Sequence, residues 1–319
     1  MRSTRPRRIL STLALAAAAV VTLAACSGSG AAADAPKTKS SSYTVSTLYG
    51  DVSVPAGAKR IVAYSFPEAT ALADLGIKPV GIGTYIPAFP AYTSFFKGVP
   101  DVTDSSGAPD LEKVAALKPD LIVGDEFETD VEKNRGLYEK LSSIAPTVML
   151  KWTQAAGNWP ADAAGTAQAV GKTAELNKLK SAYEAKAADI KRTYADVLSS
   201  KTVDLISAND SAWFLYGDQS SHGKVLAAAG ARFAAAAGQK DGFAQYSPEK
   251  YSDLANSDIL VVSASAPAAA AVVTSNPVFA ALPAAQAGHV YTTPYFFPSS
   301  YRIADALLDD FAAMLEKAK

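Results

Sequence analysis

The chain has 319 residues with 30 basic and 31 acidic side chains, a formal net charge of −1, one cysteine and two histidines. This near-neutral balance supplies no basic surface for nucleic acid, the lone cysteine has no intramolecular disulfide partner, and His222 and His289, 67 positions apart, are a poor basis for a zinc or manganese centre. Hydrophobic residues make up 49% of the chain, enough to bury a large core at a length where one core usually divides in two.

Residues 1–10 carry four Arg and no acid, and the apolar run after them is too short for a comfortable membrane span, so 1–25 reads as a signal peptide. It ends in Leu23-Ala24-Ala25-Cys26, which resembles the lipobox of bacterial lipoproteins. Cleavage before Cys26 would leave a thiol for acylation, and Arg7-Arg8 leaves the export route open between Sec and twin-arginine. Residues 26–42 are small and polar, the composition of a lipidated N terminus and flexible tether. Without the leader, 26 basic face 31 acidic residues.

Residues 43–170 read as a first α/β lobe. Strand patterns at YTVSTLYGDVSVP and Ile61–Ser65 lead into helix PEATALADLG with Gly76 as its stop. Strand Pro79–Tyr85, helix LEKVAALK, strand DLIVGD, helix VEKNRGLYEKLSSI and strand Thr147–Trp152 then alternate, which implies a mainly parallel sheet covered by helices. Gly81-x-Gly83 lacks the third glycine and the helix opening of a dinucleotide fingerprint. The loop IPAFPAYTSFFKGVPD carries Phe89, Tyr92, Phe95 and Phe96, which either wall a pocket or pack on their own lobe.

The longest helical pattern spans 171–199. Leu176, Leu179, Tyr183, Ala187, Ile190, Tyr194 and Val197 recur every three or four residues with no Gly or Pro inside, so Ala174 to Leu198 reads as one rod of about 37 Å with Thr173 as N-cap. Such a rod can join two lobes. Residues 200–319 repeat the first design: strand Thr202–Ala208, loop NDSAWFLYGDQSSHG, helix KVLAAAG, a short strand at ARFAA, loop GQKDGFAQYS, helix PEKYSDLA, strand DILVVSA, strand HVYTTP and a closing helix with Ile303, Leu307, Phe311 and Leu315 on one stripe. LADLG matches LAAAG, and LEKVAALKPDLIVGD matches PEKYSDLANSDILVVSA, so the two lobes share one design.

The chain contains no GxSxG elbow, P-loop, HExxH or CxxC, and each histidine reads as a surface or loop residue. Eight segments in order, VPAGAKRIVAYS, LADLGIKPVGIG, LEKVAALKPDLIVGD, YEKLSSIAPTV, the rod, HGKVLAAAGARF, YSPEKYSDLANSDILVV and AAQAGHVYTTPYFFPSS, resemble a substrate-binding lipoprotein of an ABC importer, of the class that carries siderophores, cobalamin or haem. The resemblance covers about residues 48–316. It implies a class III periplasmic binding protein architecture, two Rossmann-like α/β lobes with mainly parallel sheets joined by a single long helix. It also implies a ligand held in the interlobe cleft and delivery by a monomer to a membrane permease. Glu112 in DLEK and Glu249 in SPEK match the family's permease-docking glutamates. Each is expected in the first turn of a helix, after Asp110 and Ser247, where the helix dipole alone would favour a carboxylate by about 0.3–1 kcal/mol.

Cleft candidates at strand ends are Tyr64, Tyr85, Phe127, Lys151 and Trp152 from the first lobe, and Trp213, Tyr216, Phe243, Tyr295, Phe296, Tyr301 and Arg302 from the second. With only Lys151 and Arg302 charged, this wall suits a ferric hydroxamate siderophore better than a triply anionic catecholate complex, because a buried charge needs a partner. Iron would travel inside its chelate, with no protein ligand and no resident cofactor. Haem or cobalamin binding is the alternative, then an exported α/β enzyme.

Overall fold

A computed structural model describes residues 41–83, 90–152, 157–264 and 267–319. The expected signal peptide, Cys26, the tether up to residue 40, Tyr85 and Phe89 lie outside the described residues.

The hairpin β1 (Ser42–Thr47) and β2 (Gly50–Pro55) comes first. It is followed by β3 (Ile61–Ala63), α1 (Phe66–Asp74), β4 (Gly81–Ile82), α2 (Pro90–Thr93), α3 (Leu111–Ala116), β5 (Leu121–Glu126), a 3-10 turn at Glu128–Asp130, α4 (Val131–Ile144), β6 (Thr147–Lys151) and α5 (Trp159–Ala169). β4-β3-β5-β6 form one parallel sheet. Its apolar residues Ile61, Val62, Leu121, Ile122, Val123 and Val148 are wholly buried, as a parallel sheet covered on both faces requires. Tyr92 and Phe96 pack into this same core with Phe95 against it, so these three loop aromatics stabilise their own lobe.

After α6 (Thr173–Thr193) and α7 (Ala195–Ser200) come β7 (Val203–Ala208), β8 (Trp213–Tyr216), α8 (Ser221–Ala228) and β9 (Ala244–Tyr246). A 3-10 segment Pro248–Leu254, β10 (Ile259–Ser263), α9 (Pro267–Thr274), α10 (Pro277–Ala280), α11 (Pro283–Gln286), β11 (Val290–Thr293) and α12 (Tyr301–Lys317) complete the chain. The second sheet runs β11-β10-β7-β8-β9, parallel from β11 to β7 and antiparallel at β8 and β9. The sequence places WFLY in a loop and a strand at ARFAA. Instead, Asn209 Oδ1 accepts from the backbone N–H groups of Ser211 (3.0 Å) and Ala212 (2.9 Å), closing a tight turn that sends WFLY straight back along β7.

The repeat is real at atomic level. Gly76 and Gly230 close α1 and α8 with positive φ, and in both the next residue's N–H reaches five residues back, Ile77 to Leu72 (2.9 Å) and Ala231 to Leu226 (3.0 Å). Asp120, just before β5, accepts from the N–H groups of Lys59 and Arg60 (both 2.9 Å) at the start of β3. Asp258, just before β10, accepts from the N–H and hydroxyl of Thr202 (both 2.8 Å) at the start of β7. Matched this way, the sheets read β4-β3-β5-β6 and β8-β7-β10-β11, differing in the direction of one strand.

The expected single rod is two helices. α6 ends at Thr193 and Tyr194 leaves helical geometry (φ −109°, ψ 24°) before α7 begins, with no Gly or Pro to mark the break. Thr173 is not the cap, which falls at Lys172 without a side-chain bond. The 21 residues of α6 span about 31 Å. Leu176, Ala187, Ile190 and Val197 of the predicted stripe are buried and Leu179, Tyr183 and Tyr194 partly so, against α8 and α12, and Lys186 bridges Asp305 (2.8 Å) and Asp309 (2.7 Å), so α6 lies along the second lobe's helical layer.

A second connection joins the lobes. Ile303 of α12 is buried in the first lobe's core and Ala71 of α1 in the second's. Around them Thr70 Oγ lies 2.9 Å from Ser299 Oγ and Tyr92 Oη 2.6 Å from Ser300 Oγ. Asp74 accepts from Tyr92 and from the Arg302 backbone N–H (2.9 Å).

Candidate functional site

A cavity of about 240 Å3 opens between the lobes. From the first lobe Trp152 contributes, one residue beyond β6, held by its N–H to the Glu126 carbonyl (2.8 Å). From the second come Tyr216 at the end of β8, Ser220, Ser221 and His222 at the start of α8, then Gly242, Phe243 and Phe297. The turn between β8 and α8 is tight. Ser220 Oγ donates to the Gly217 carbonyl (2.8 Å) and accepts from Gly223 N–H (3.0 Å), and a Cβ at Gly223 would meet the Gly217 oxygen at 1.8 Å, so only glycine admits this approach.

His222 corrects the reading of the histidines as surface or loop residues, since its side chain is buried and lines the cavity. The rings of Phe296, Tyr216 and Phe297 have centroids 4.1, 4.6 and 5.2 Å from the imidazole. Burial pushes its pKa down to about 3, so the ring is neutral. Nδ1 is 3.4 Å from Ser221 Oγ, and Nε2 has no hydrogen-bond partner among the described residues. The Tyr216 hydroxyl is 3.0 Å from Ser207 Oγ.

Of the residues proposed from sequence, Trp152, Tyr216 and Phe243 line the cavity, and Phe127, half exposed, packs edge-on against Trp152 at 4.3 Å. Others need correcting. Trp213 is sealed in the core, its Nε1 donating to the Ser247 carbonyl (3.0 Å) between Tyr246 and Tyr251. Because strand side chains alternate, Trp213 and Tyr216, three positions apart on β8, must face opposite sides. In the segment after β11, Phe296 is buried and its neighbour Phe297 takes the place at the cavity expected of it. Tyr301 is buried against Trp159, and Tyr295 packs between the two cores. Tyr64 lines a separate groove on the first lobe, beside Thr103 and Lys113.

The two expected cations do not line the cavity. Lys151 pairs with Glu128, and Arg302 lies 3.6 Å from Asp74 on the interlobe brace. No Lys or Arg is among the described lining residues.

Glu112 and Glu249 are exposed in the first turns of α3 and of the 3-10 segment. Asp110 caps α3 as expected, accepting from the N–H groups of Glu112 (3.0 Å) and Lys113 (3.2 Å). Ser247 does not cap. Its hydroxyl donates to the Glu249 carboxylate (2.5 Å), which holds that carboxyl below its ordinary range.

Comparison with known proteins gives the same picture. The chain is 31% identical over 193 residues to the Bacillus subtilis protein named "Probable siderophore-binding lipoprotein YfiY", covering 60% of this chain and 56% of that one. It is 29% identical over 176 residues to the petrobactin-binding protein YclQ of the same organism, covering 54% and 53%. The match thus spans little more than half the length of these relatives. The siderophore periplasmic binding protein from the fuscachelin gene cluster of Thermobifida fusca superposes with a TM-score of 0.74 at 25% identity, over 83% of this chain and 98% of that chain. With two α/β lobes facing across a cavity, and with residues 62–295 matching the family model described as periplasmic binding protein, the chain belongs to that family.

Proposed function

We propose that the chain binds a ferric siderophore of the hydroxamate type in the interlobe cavity and delivers it, as a monomer, to the permease of an ABC importer. Acylated Cys26 would hold it at the extracytoplasmic face of the cell membrane. The observation that carries the reading is the cavity wall, which is aromatic and holds no cation among its described residues. A multiply anionic chelate would enter it at the full cost of unpaired charge, whereas a hydroxamate encloses ferric iron in a weakly charged organic shell that stacks on rings. Iron is then cargo and needs no protein ligand. The naming of relatives for siderophores, one of them a lipoprotein, supports the same reading.

Haem is the second reading, favoured by one observation, an imidazole with an uncommitted nitrogen in the cavity wall.

Trp152 supplies the test, because Trp159 and Trp213 are buried in the cores. Titration with ferric trihydroxamates, ferric catecholates, haemin and cobalamin is expected to give saturable fluorescence quenching by the hydroxamates, and Trp152→Phe is expected to abolish most of it. Quenching by catecholates alone would overturn the hydroxamate assignment. Silence towards every ferric chelate would overturn the siderophore reading.

A further inference from the structure

The cavity is apolar apart from a few groups, and most of those are already committed. Ser220 Oγ both donates and accepts within its own turn, and the Tyr216 hydroxyl pairs with Ser207. His222 differs, with a fully buried ring and a bare Nε2. A buried polar atom without a partner costs about 1–3 kcal/mol, and replacing it by an apolar group of similar shape is neutral or stabilising. A binding protein retains such an atom at a profit only if something that enters the cavity bonds to it.

The neighbour is compatible with a protonated Nε2. Ser221 Oγ lies 3.4 Å from Nδ1 and can donate its hydroxyl there, and in that tautomer the ring proton sits on Nε2. Axial ligation of a porphyrin would need an open flat face at Nε2, yet that atom is buried and aromatic rings crowd the imidazole at 4.1, 4.6 and 5.2 Å.

We propose that His222 is the specificity-determining polar contact of this site, its Nε2–H donating a hydrogen bond to an outward-facing carbonyl or hydroxamate oxygen of the siderophore. The proposal rests on the siderophore reading above. It narrows the ligand to chelates that turn an uncharged oxygen-bearing face towards the second lobe, while the aromatic rings stack on the remainder.

The test uses the full mature chain and ferric trihydroxamates, with His222→Leu and His222→Gln. Leu removes the donor, and Gln keeps an amide near the position of Nε2. Affinity is expected to fall at least about tenfold in His222→Leu, the equivalent of one lost hydrogen bond, and by less in His222→Gln. The Tm of unliganded His222→Leu is expected to be unchanged or higher, where a merely structural histidine would lower it. Should His222→Leu fold poorly, 15N-histidine spectra of the wild type carry the test. With two histidines in the chain, the His222 Nε2 resonance should move on adding a diamagnetic gallium trihydroxamate and stay protonated. Unchanged affinity in His222→Leu, or an unmoved resonance in a saturated sample, overturns the proposal and leaves the siderophore reading standing. Failure of the wild type to bind any siderophore overturns both. A haemin Soret shift that vanishes in His222→Leu also overturns it, in favour of axial ligation.

Discussion

Two buried titrating groups of opposite sign give the residue scale its measurable consequence. Burial raises Asp125 to about 6 from 3.8 and lowers His222 to about 3 from 6.5. Asp125 keeps in the folded state a proton that the unfolded chain releases, so its contribution to stability is full in acid and lost as pH rises through 6. His222 runs the other way. The unfolded chain takes up a proton that the folded ring refuses, so its contribution is present above about pH 6.5 and lost as pH falls towards 3. At about 1.4 kcal/mol per pKa unit, Asp125→Asn should gain about 3 kcal/mol on the wild type between pH 4 and 7. His222→Leu should gain a similar amount in the reverse direction. Urea unfolding at several pH values checks both, and stability differences that do not change with pH would sink the assignment. Beside Asp125, the Glu68 carboxyl is buried with neither oxygen partnered among the described residues, and burial, then the charges of Asp125 and Asp162, push its pKa well up.

Among the elements, α12 governs how the lobes are held. Its stripe of Ile303, Leu307, Phe311 and Leu315 is wholly buried as its spacing predicts, but Ile303 enters the other lobe's core, which the spacing could not reveal. The hydrogen bonds at its N terminus converge on Asp74, whose side chain is 1% exposed, whereas that of Arg302 is half exposed. The ion pair between them is therefore screened and the buried hydrogen bonds carry most of the stabilisation. Asp74→Ala, which strands the Arg302 N–H and leaves the Tyr92 hydroxyl with Ser300 alone, should cost about 2–4 kcal/mol in denaturant unfolding. Arg302→Ala should cost under about 1 kcal/mol. Equal costs would show that the ion pair dominates instead.

The molecule as a whole offers one acid per lobe in equivalent places. Helix-dipole stabilisation accounts for either Glu112 or Glu249 alone but not for their agreement across a repeat whose glycine stops and aspartate clamps also coincide. Both lie outside the cavity. The double substitution Glu112→Ala/Glu249→Ala should therefore leave siderophore affinity within about twofold while uptake by whole cells fails. Normal uptake would remove the docking role. Two connections between lobes, the α6–α7 pair and the α1–α12 brace, also imply that ligand binding moves the lobes little, in keeping with a cavity already present in the described residues.

How much of this was legible depended on the range of the interactions involved. Periodicity alone located α4, α6 and α12 and the parallel strands, because helix and strand repeats are local properties of the chain. The paired motifs identified the duplicated lobe, since Gly76 and Gly230, like Asp120 and Asp258, act on backbone only a few residues or one strand away. The cavity resisted the same reading. Trp152, Tyr216 and Phe243 could be chosen as aromatics near strand ends, but strand alternation turns Trp213 to the core face of β8, Phe296 is buried where its neighbour Phe297 lines the cavity, and β8 was hidden by a turn that Asn209 closes. His222 carried no signal at all. That a histidine in the first turn of a helix ends up sealed among Tyr216, Phe296 and Phe297, and that Lys151 and Arg302 are spent on distant carboxylates, follows from contacts between segments tens of residues apart, and only the packed tertiary structure decides them.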